Sequence, residues 1–119
     1  MAYEIVEDDR KDIAKSLLSV CTALAPQVIF TLGGTGVRPT DWSPEDTQDI
    51  NDKEIPGIAE VMRAESLKKV KTAMLSRGIA GIRGSTIIVN LPGSPKGAKE
   101  NLAAFLPVSY THLTLPTSD

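Results

Sequence analysis

Val28-Ile29-Phe30-Thr31-Leu32-Gly33-Gly34-Thr35-Gly36, continued by Val37-Arg38-Pro39-Thr40-Asp41, is the stretch on which the reading of this chain turns. Its branched and aromatic residues predict a buried strand, and its three glycines predict a loop at the carboxyl end of that strand. Glycine adopts positive φ and lets a ligand approach the backbone, so successive amides of such a loop can converge on phosphate oxygens. A glycine turn serves chain geometry as often as ligands, so the weight falls on the residues beyond it. Asp41 stands five residues past Gly36, ahead of Ser43-Pro44-Glu45-Asp46. That segment reads as a helix start with Ser43 at the N-cap, Pro44 at the first helical position and Asp46 bonding back. A carboxylate braced beside a phosphate cradle repels its ligand unless a cation intervenes. Mg²⁺ reconciles the two, because in phosphate sites it takes one or two carboxylates together with phosphate oxygens.

Outward from this loop, the chain of 119 residues allows one domain. Apolar residues make up 41% and aromatics only 4%, so the core is aliphatic, which suits α/β layers better than two packed sheets. The net charge of −2 gives no positive field for nucleic acid. No run of 18 apolar residues occurs and the acidic first residues lack an apolar core, so neither a membrane span nor secretion is expected, and a cytoplasmic location follows. Cys21, the single cysteine, falls on the apolar face of a predicted helix and reads as a small core residue. One histidine, His112, excludes histidine zinc sites and Ser-His-Asp chemistry.

Residues 3–6 read as a short strand, followed by a helix with Asp9 at its N-cap and Asp12 at N3. Ile13, Leu17, Leu18, Cys21 and Leu24 make its apolar stripe up to Pro26. With residues 27–32 as the next strand, a β-α-β unit results, its glycine loop at the sheet edge where open α/β sheets bind ligands. Asp8, at the end of the first strand, either reaches that same edge or serves as a cap or solvated acid. A helix runs from Ser43 to about Asp52, and a turn over residues 54–57 leads to a second helix carrying Ile58, Val61, Met62, Ser66 and Leu67. Lys68, Lys69 and Lys71 at its end either face water and complement its dipole or help draw in an anionic substrate. Residues 72–76 read as a short strand or extended piece, and 77–84 as a glycine-punctuated connection. Arg77 and Arg83 within it either clamp an anion or form salt bridges. Residues 85–91, β-branched and apolar on both faces, predict a central parallel strand. It ends in Asn90-Leu91-Pro92-Gly93-Ser94-Pro95-Lys96-Gly97, with Ser94 as N-cap and Pro95 opening a last helix whose stripe is Ala98, Leu102, Phe105 and Leu106. Two anion-binding loops at one sheet edge suit a ligand with more than one phosphate, such as a nucleotide. Residues 108–119 lack a helical period and are expected to be a non-native tail, so that the domain spans 1–107.

Taken together, Thr31-Leu-Gly-Gly-Thr-Gly36, Pro39-Thr-Asp-Trp-Ser-Pro-Glu-Asp-Thr47, Glu54-Ile-Pro-Gly-Ile58, Glu65-Ser-Leu67, Ala73-Met-Leu-Ser-Arg77, Ala80-Gly-Ile-Arg-Gly84 and Asn90-Leu-Pro-Gly-Ser-Pro-Lys96 resemble the molybdopterin adenylyltransferase family in order and spacing. The resemblance implies a three-layer α/β/α sandwich with a mostly parallel sheet, commonly trimeric. It implies a reaction in which AMP from Mg-ATP joins the terminal phosphate of molybdopterin, with pyrophosphate released before a partner protein inserts molybdenum. Asp41 would be the acidic residue essential to catalysis and Asp8 its partner, with Mg²⁺ held by either or both between them and the phosphates. Gly33, Gly34, Thr35 and Gly36 would hold phosphate, Ser66, Ser76 and Asn90 would contact substrate, and Pro92, Gly93, Ser94 and Lys96 would form the second loop. Against the family, a strand, glycine-containing loop and helix are expected to be missing ahead of Tyr3, leaving part of the site. The alternatives are a non-catalytic module that binds molybdopterin or the finished cofactor, and an inactive fragment.

Overall fold

The structure is a computed structural model and describes residues 11–24 and 26–109. In chain order the elements are α1 (Asp12–Leu24), β1 (Val28–Leu32), α2 (Ser43–Ile50), β2 (Lys53–Glu54), α3 (Pro56–Leu67), a 3-10 turn (Lys71–Leu75), β3 (Ala80–Arg83), β4 (Thr86–Leu91) and α4 (Pro95–Ser109). The strands form one sheet in the order β1-β4-β3-β2. β4, the strand richest in β-branched residues, lies inside it, where such side chains pack best on both faces. Ile88 and Val89 alternate across the sheet, and both are fully buried.

Each face of the sheet supports its own core. On one, Ile88 meets Ala14 and Leu17 of α1 and Ile50 of α2, with Ile13, Leu18, Cys21 and Ile29 packed around them. On the other, Val89, Leu91 and Ala80 meet Met62 of α3, with Ile58, Ala98 and Ala104 against them. Burial of a Leu, Ile or Met side chain contributes about 1.5–3 kcal/mol, so each helix pair is held to the sheet by a few such residues. The three-layer α/β/α architecture follows from this division.

Several local expectations are corrected. Among the described residues only β1 and β4 pair in parallel; β4 with β3, and β3 with β2, are antiparallel. For β3 and β4 the reason is the hairpin at Gly84 (φ +59°), which returns the chain directly to the sheet. Residues 77–84, read as a connection, therefore contain strand β3, and residues 72–76 lie largely in the 3-10 turn. β1 is less buried than its composition suggests, with Phe30 39% and Leu32 70% exposed, and the apolar stripe of α1 stops short of Leu24, which is 62% exposed. α4 runs from Pro95 through Pro107 to Ser109. Asp8, the strand over residues 3–6 and His112 lie outside the described residues.

Two helix starts separate by mechanism. In α4 the Ser94 hydroxyl accepts the Gly97 N–H at 3.1 Å, and its carbonyl accepts Ala98 N–H at 2.9 Å, the expected cap. In α2 the N-cap is Trp42 and Ser43 is the first helical residue. The Ser43 hydroxyl donates to Gly33 O at 2.8 Å instead, so the residue that resembles a cap fastens the loop to the helix. Asp46 also departs from a reciprocal cap. Its carboxylate accepts the Lys11 N–H at 2.9 and 3.0 Å, joining the start of α1 to α2.

Candidate functional site

The glycine loop begins where β1 leaves the sheet, and its first two glycines, Gly33 (φ +89°) and Gly34 (φ +70°), take the left-handed conformation that side chains disfavour. From there the loop turns its carbonyls toward protein donors. Gly33 O accepts from the Ser43 hydroxyl, Gly34 O from Ser43 N–H at 3.1 Å, Thr35 O from Arg77 N–H at 2.7 Å, and Gly36 O from Arg77 Nε at 2.7 Å. Gly33 N–H donates to Leu91 O at 2.9 Å, while among the described residues the amides of Gly34, Thr35 and Gly36 meet no protein acceptor. With every carbonyl engaged, those amides are the loop's backbone groups left without a protein partner, Gly34 and Gly36 being half-buried and Thr35 buried.

The second loop touches the first. A β-carbon on Gly93 would lie 3.2 Å from Gly33 Cα, so the two backbones are in contact and a side chain there would push them apart by a few tenths of an ångström. Pro92 is half-buried at this junction, whereas Gly93, Ser94 and Lys96 are exposed at the head of α4. The expected convergence of two loops on one sheet edge is therefore met by the backbone. The ammonium of Lys96 and the N-terminal dipole of α4 give that edge a positive character.

Arg77 ties the region together in a way its sequence position does not disclose. Nε donates to Gly36 O, Nη2 to Asp41 O at 2.8 Å and to Glu45 Oε1 at 3.3 Å, and Nη1 pairs with Glu45 Oε2. One planar guanidinium thus fixes both ends of the segment from Gly36 to Asp41 and its helix. Of the two roles open to Arg77, an anion clamp and an ion pair, the structure shows the second. Arg83 donates to Ile50 O at 3.1 Å, at the other end of α2.

Asp41 is 3% exposed. Its Oδ2 accepts the Arg38 N–H at 2.9 Å, and the Arg38 guanidinium approaches both oxygens at 3.3–3.4 Å. Gly36 packs against it so closely that a β-carbon there would lie 2.9 Å from Oδ2. Burial alone raises the pKa of such a carboxyl, but the Arg38 amide and guanidinium and the Arg77 charge outweigh it and hold the pKa below its ordinary value. A depressed folded pKa means that this ion pair stabilises the fold fully above the ordinary carboxyl range and loses its contribution only as pH falls through the lowered value.

A family model described as "Probable molybdopterin binding domain" matches residues 1–110. The chain belongs to this family. Over 105 residues it is 48% identical to the molybdopterin adenylyltransferase of Helicobacter pylori (strain ATCC 700392 / 26695), covering 88% of the chain and 60% of the relative. Over 106 residues it is 42% identical to the Drosophila melanogaster molybdenum cofactor synthesis protein cinnamon, covering 87% of the chain and 18% of that protein. The crystal structure of the molybdopterin biosynthesis enzyme MoaB from Thermus thermophilus superposes with a TM-score of 0.83 at 48% identity, over 94% of the chain and 70% of MoaB. The chain thus spans less than two thirds of the length of either curated relative.

Within this molybdopterin-binding domain, the remaining residues drawn from the resemblance divide by location. Ser76 sits half-buried beside Arg77, its hydroxyl accepting Gly78 N–H at 3.5 Å, next to the first loop. Ser66 lies between α3 and α4, where its hydroxyl accepts Asn101 Nδ2 at 2.6 Å in the buried interface. There it ties two helices. Asn90 is 2% exposed, its Nδ2 donating to Thr31 and Thr47 hydroxyls at 2.9 Å each and its Oδ1 accepting Ile79 N–H at 3.1 Å. With all of these engaged, Asn90 positions the strand end from which both loops spring. Asn90→Leu is expected to leave the buried Thr47 hydroxyl and the half-buried Thr31 hydroxyl and Ile79 N–H without this partner and to cost about 2–3 kcal/mol in urea unfolding; a change below about 0.5 kcal/mol would remove that role.

No cluster of three or more His, Cys, Asp or Glu that could hold a metal occurs among the described residues. Asp41 alone therefore represents the predicted metal ligands there. A single buried carboxylate beside free loop amides fits Mg²⁺ that arrives with phosphate oxygens, and does not fit an all-protein cage. Arg38, Asp46 and Thr47 were not among the predicted site residues; only the three-residue spacing from Arg38 to Asp41 carried a local signal.

Proposed function

We propose that the chain carries the adenylyl-transfer site of a molybdopterin adenylyltransferase. The observation that carries the reading is the edge where two glycine loops touch, with loop carbonyls engaged, amides left for an anion, and a buried ionised Asp41 alongside. A relative of the same domain type bears that enzyme's name. In this reading the terminal phosphate oxygen of molybdopterin attacks the α-phosphorus of ATP, a P–O bond forms, and the bond to the β-phosphate breaks with pyrophosphate leaving. The amides of Gly34, Thr35 and Gly36 bind one phosphate group, and the head of α4 with Lys96 binds another. Arg77 holds the loop so that the reacting groups are aligned, and Asp41, with Asp8 as its proposed partner, holds Mg²⁺. When bound, Mg²⁺ supplies charge neutralisation on the phosphates. Transfer of this kind rests on positioning and electrostatics, so no covalent nucleophile is required. Homotrimeric assembly, a cytoplasmic location and hand-over to a molybdenum-inserting partner belong to the same proposal, as does a domain that ends near residue 107.

A second reading, a binding module within a longer protein, draws support from cinnamon, of which the matched region is only 18%. The test is incubation of the chain with molybdopterin and Mg-ATP. Adenylated pterin and pyrophosphate released one for one are the expected result. Pterin binding without pyrophosphate release favours the module, and no binding of either ligand overturns both.

A further inference from the structure

We infer that Arg38 is an exchangeable counter-ion of Asp41, which a divalent cation displaces and which then becomes a phosphate ligand of the same loop. The inference rests on the reading of Asp41 as a metal ligand. The two side chains differ sharply in burial, 75% exposed for Arg38 against 2% for Asp41. The guanidinium contacts are long, 3.4 Å from Nε to Oδ2 and 3.3 Å from Nη2 to Oδ1, whereas tight charge-assisted bonds run near ~2.7–2.9 Å. An exposed, loosely held arginine gains little from its partner and is released at small cost.

The carboxylate itself does not depend on that side chain for its placement. Arg38 N–H holds Oδ2 at 2.9 Å and Arg38 O accepts Asp41 N–H at 3.0 Å, so the turn stays closed when the guanidinium leaves. Gly36 crowds Oδ2 from another side. A cation that reaches both oxygens must therefore take the place of the guanidinium. Arg77 cannot fill the role, because its guanidinium is bound to Gly36 O, Asp41 O and Glu45. Arg38 is then the cation of this loop that can change partners. Once freed it is tethered two residues from Gly36, and its planar fork suits phosphate oxygens. Cation and phosphate binding are coupled through one side chain.

The test uses Mn²⁺ as the probe, its free fraction read by electron paramagnetic resonance, and inorganic pyrophosphate as the anion, read by calorimetry. Arg38→Met is expected to bind Mn²⁺ about tenfold more tightly than the parent, and to lose most of the Mn²⁺-dependent gain in pyrophosphate affinity. Arg38→Lys, which keeps the charge without the fork, is expected to fall between. Asp41→Asn is expected to abolish the saturable Mn²⁺ site in either background, and Lys15→Met, an exposed charge loss on α1, to leave Mn²⁺ affinity unchanged. If Asp41→Asn removes the site and Arg38→Met leaves the affinity where it was, the exchange is wrong and the metal role of Asp41 stands. If Asp41→Asn binds Mn²⁺ like the parent, both fall. An equal gain from Lys15→Met would show a general charge effect and overturn the exchange.

Discussion

Asp41→Asn is expected to reduce adenylyl transfer by at least about 10²–10³-fold while molybdopterin binding stays within about twofold. The substitution is nearly isosteric, and its remaining carbonyl oxygen can still accept the Arg38 N–H that positions Oδ2 in the parent. What it removes is the negative charge, buried at 3% exposure, that in the proposed function would hold a cation against the phosphates. The amide cradle of Gly34, Thr35 and Gly36 is built from backbone and survives. Steady-state transfer and direct pterin binding, measured on the same preparation, check both halves. Transfer at the parental rate would take Asp41 out of the chemistry, and loss of pterin binding would mean that the carboxylate shapes the loop instead.

Arg77→Met should lower stability by about 2–3 kcal/mol and transfer by more than about 10²-fold. The stability figure comes mainly from two lost bonds to Gly36 O and Asp41 O, each worth about 1–1.5 kcal/mol net. The pair with Glu45 adds little, because the side chains are 36% and 33% exposed and water screens them. The larger effect is on rate, since the segment from Gly36 to Asp41 loses the anchor at both ends and displacement of about 1 Å costs about 10²-fold. Arg77→Lys is expected to fail as a rescue, because one ammonium cannot span three acceptors held by a planar fork. Urea unfolding and transfer rates, taken together, decide the matter. A destabilised variant that transfers normally would reduce Arg77 to a structural tie.

How much of this was readable in the sequence depended on how local each determinant is. The glycine loop, the Ser94-Pro95 helix start and the β-branched β4 are local, because φ restriction, a side-chain cap and strand preference act over a few residues. β3 was missed because Gly81 within it and Gly84 just after it dilute its strand character, and its place is set by pairing with β4 and β2. The orientation of that pairing, which makes the described sheet mixed, follows from a hairpin at Gly84 that looks like an ordinary glycine turn. Asn90 and Ser66 drew attention through resemblance, and the ties they make between strands and between helices depend on partners 35 to 59 residues away. Arg77 was open between two roles because its partners lie 32 to 41 residues away, beyond any periodicity. Ser43 had the right residue type for a cap, and its hydroxyl was claimed by a carbonyl ten residues back.

The contact between Gly33 and Gly93 has a kinetic side. β1 and β4 pair in parallel across a separation that the Thr31–Asn90 bond puts at 59 residues, so the loops meet only after a long stretch of chain has closed. Such distant closures carry their entropy cost before their contacts form, and they slow folding. The junction of the two loops is thus absent from any early, locally structured species, and if it binds phosphate as proposed, the ligand would recognise only molecules that have completed the sheet. Ligand added during refolding should then leave the folding rate unchanged and act by slowing unfolding.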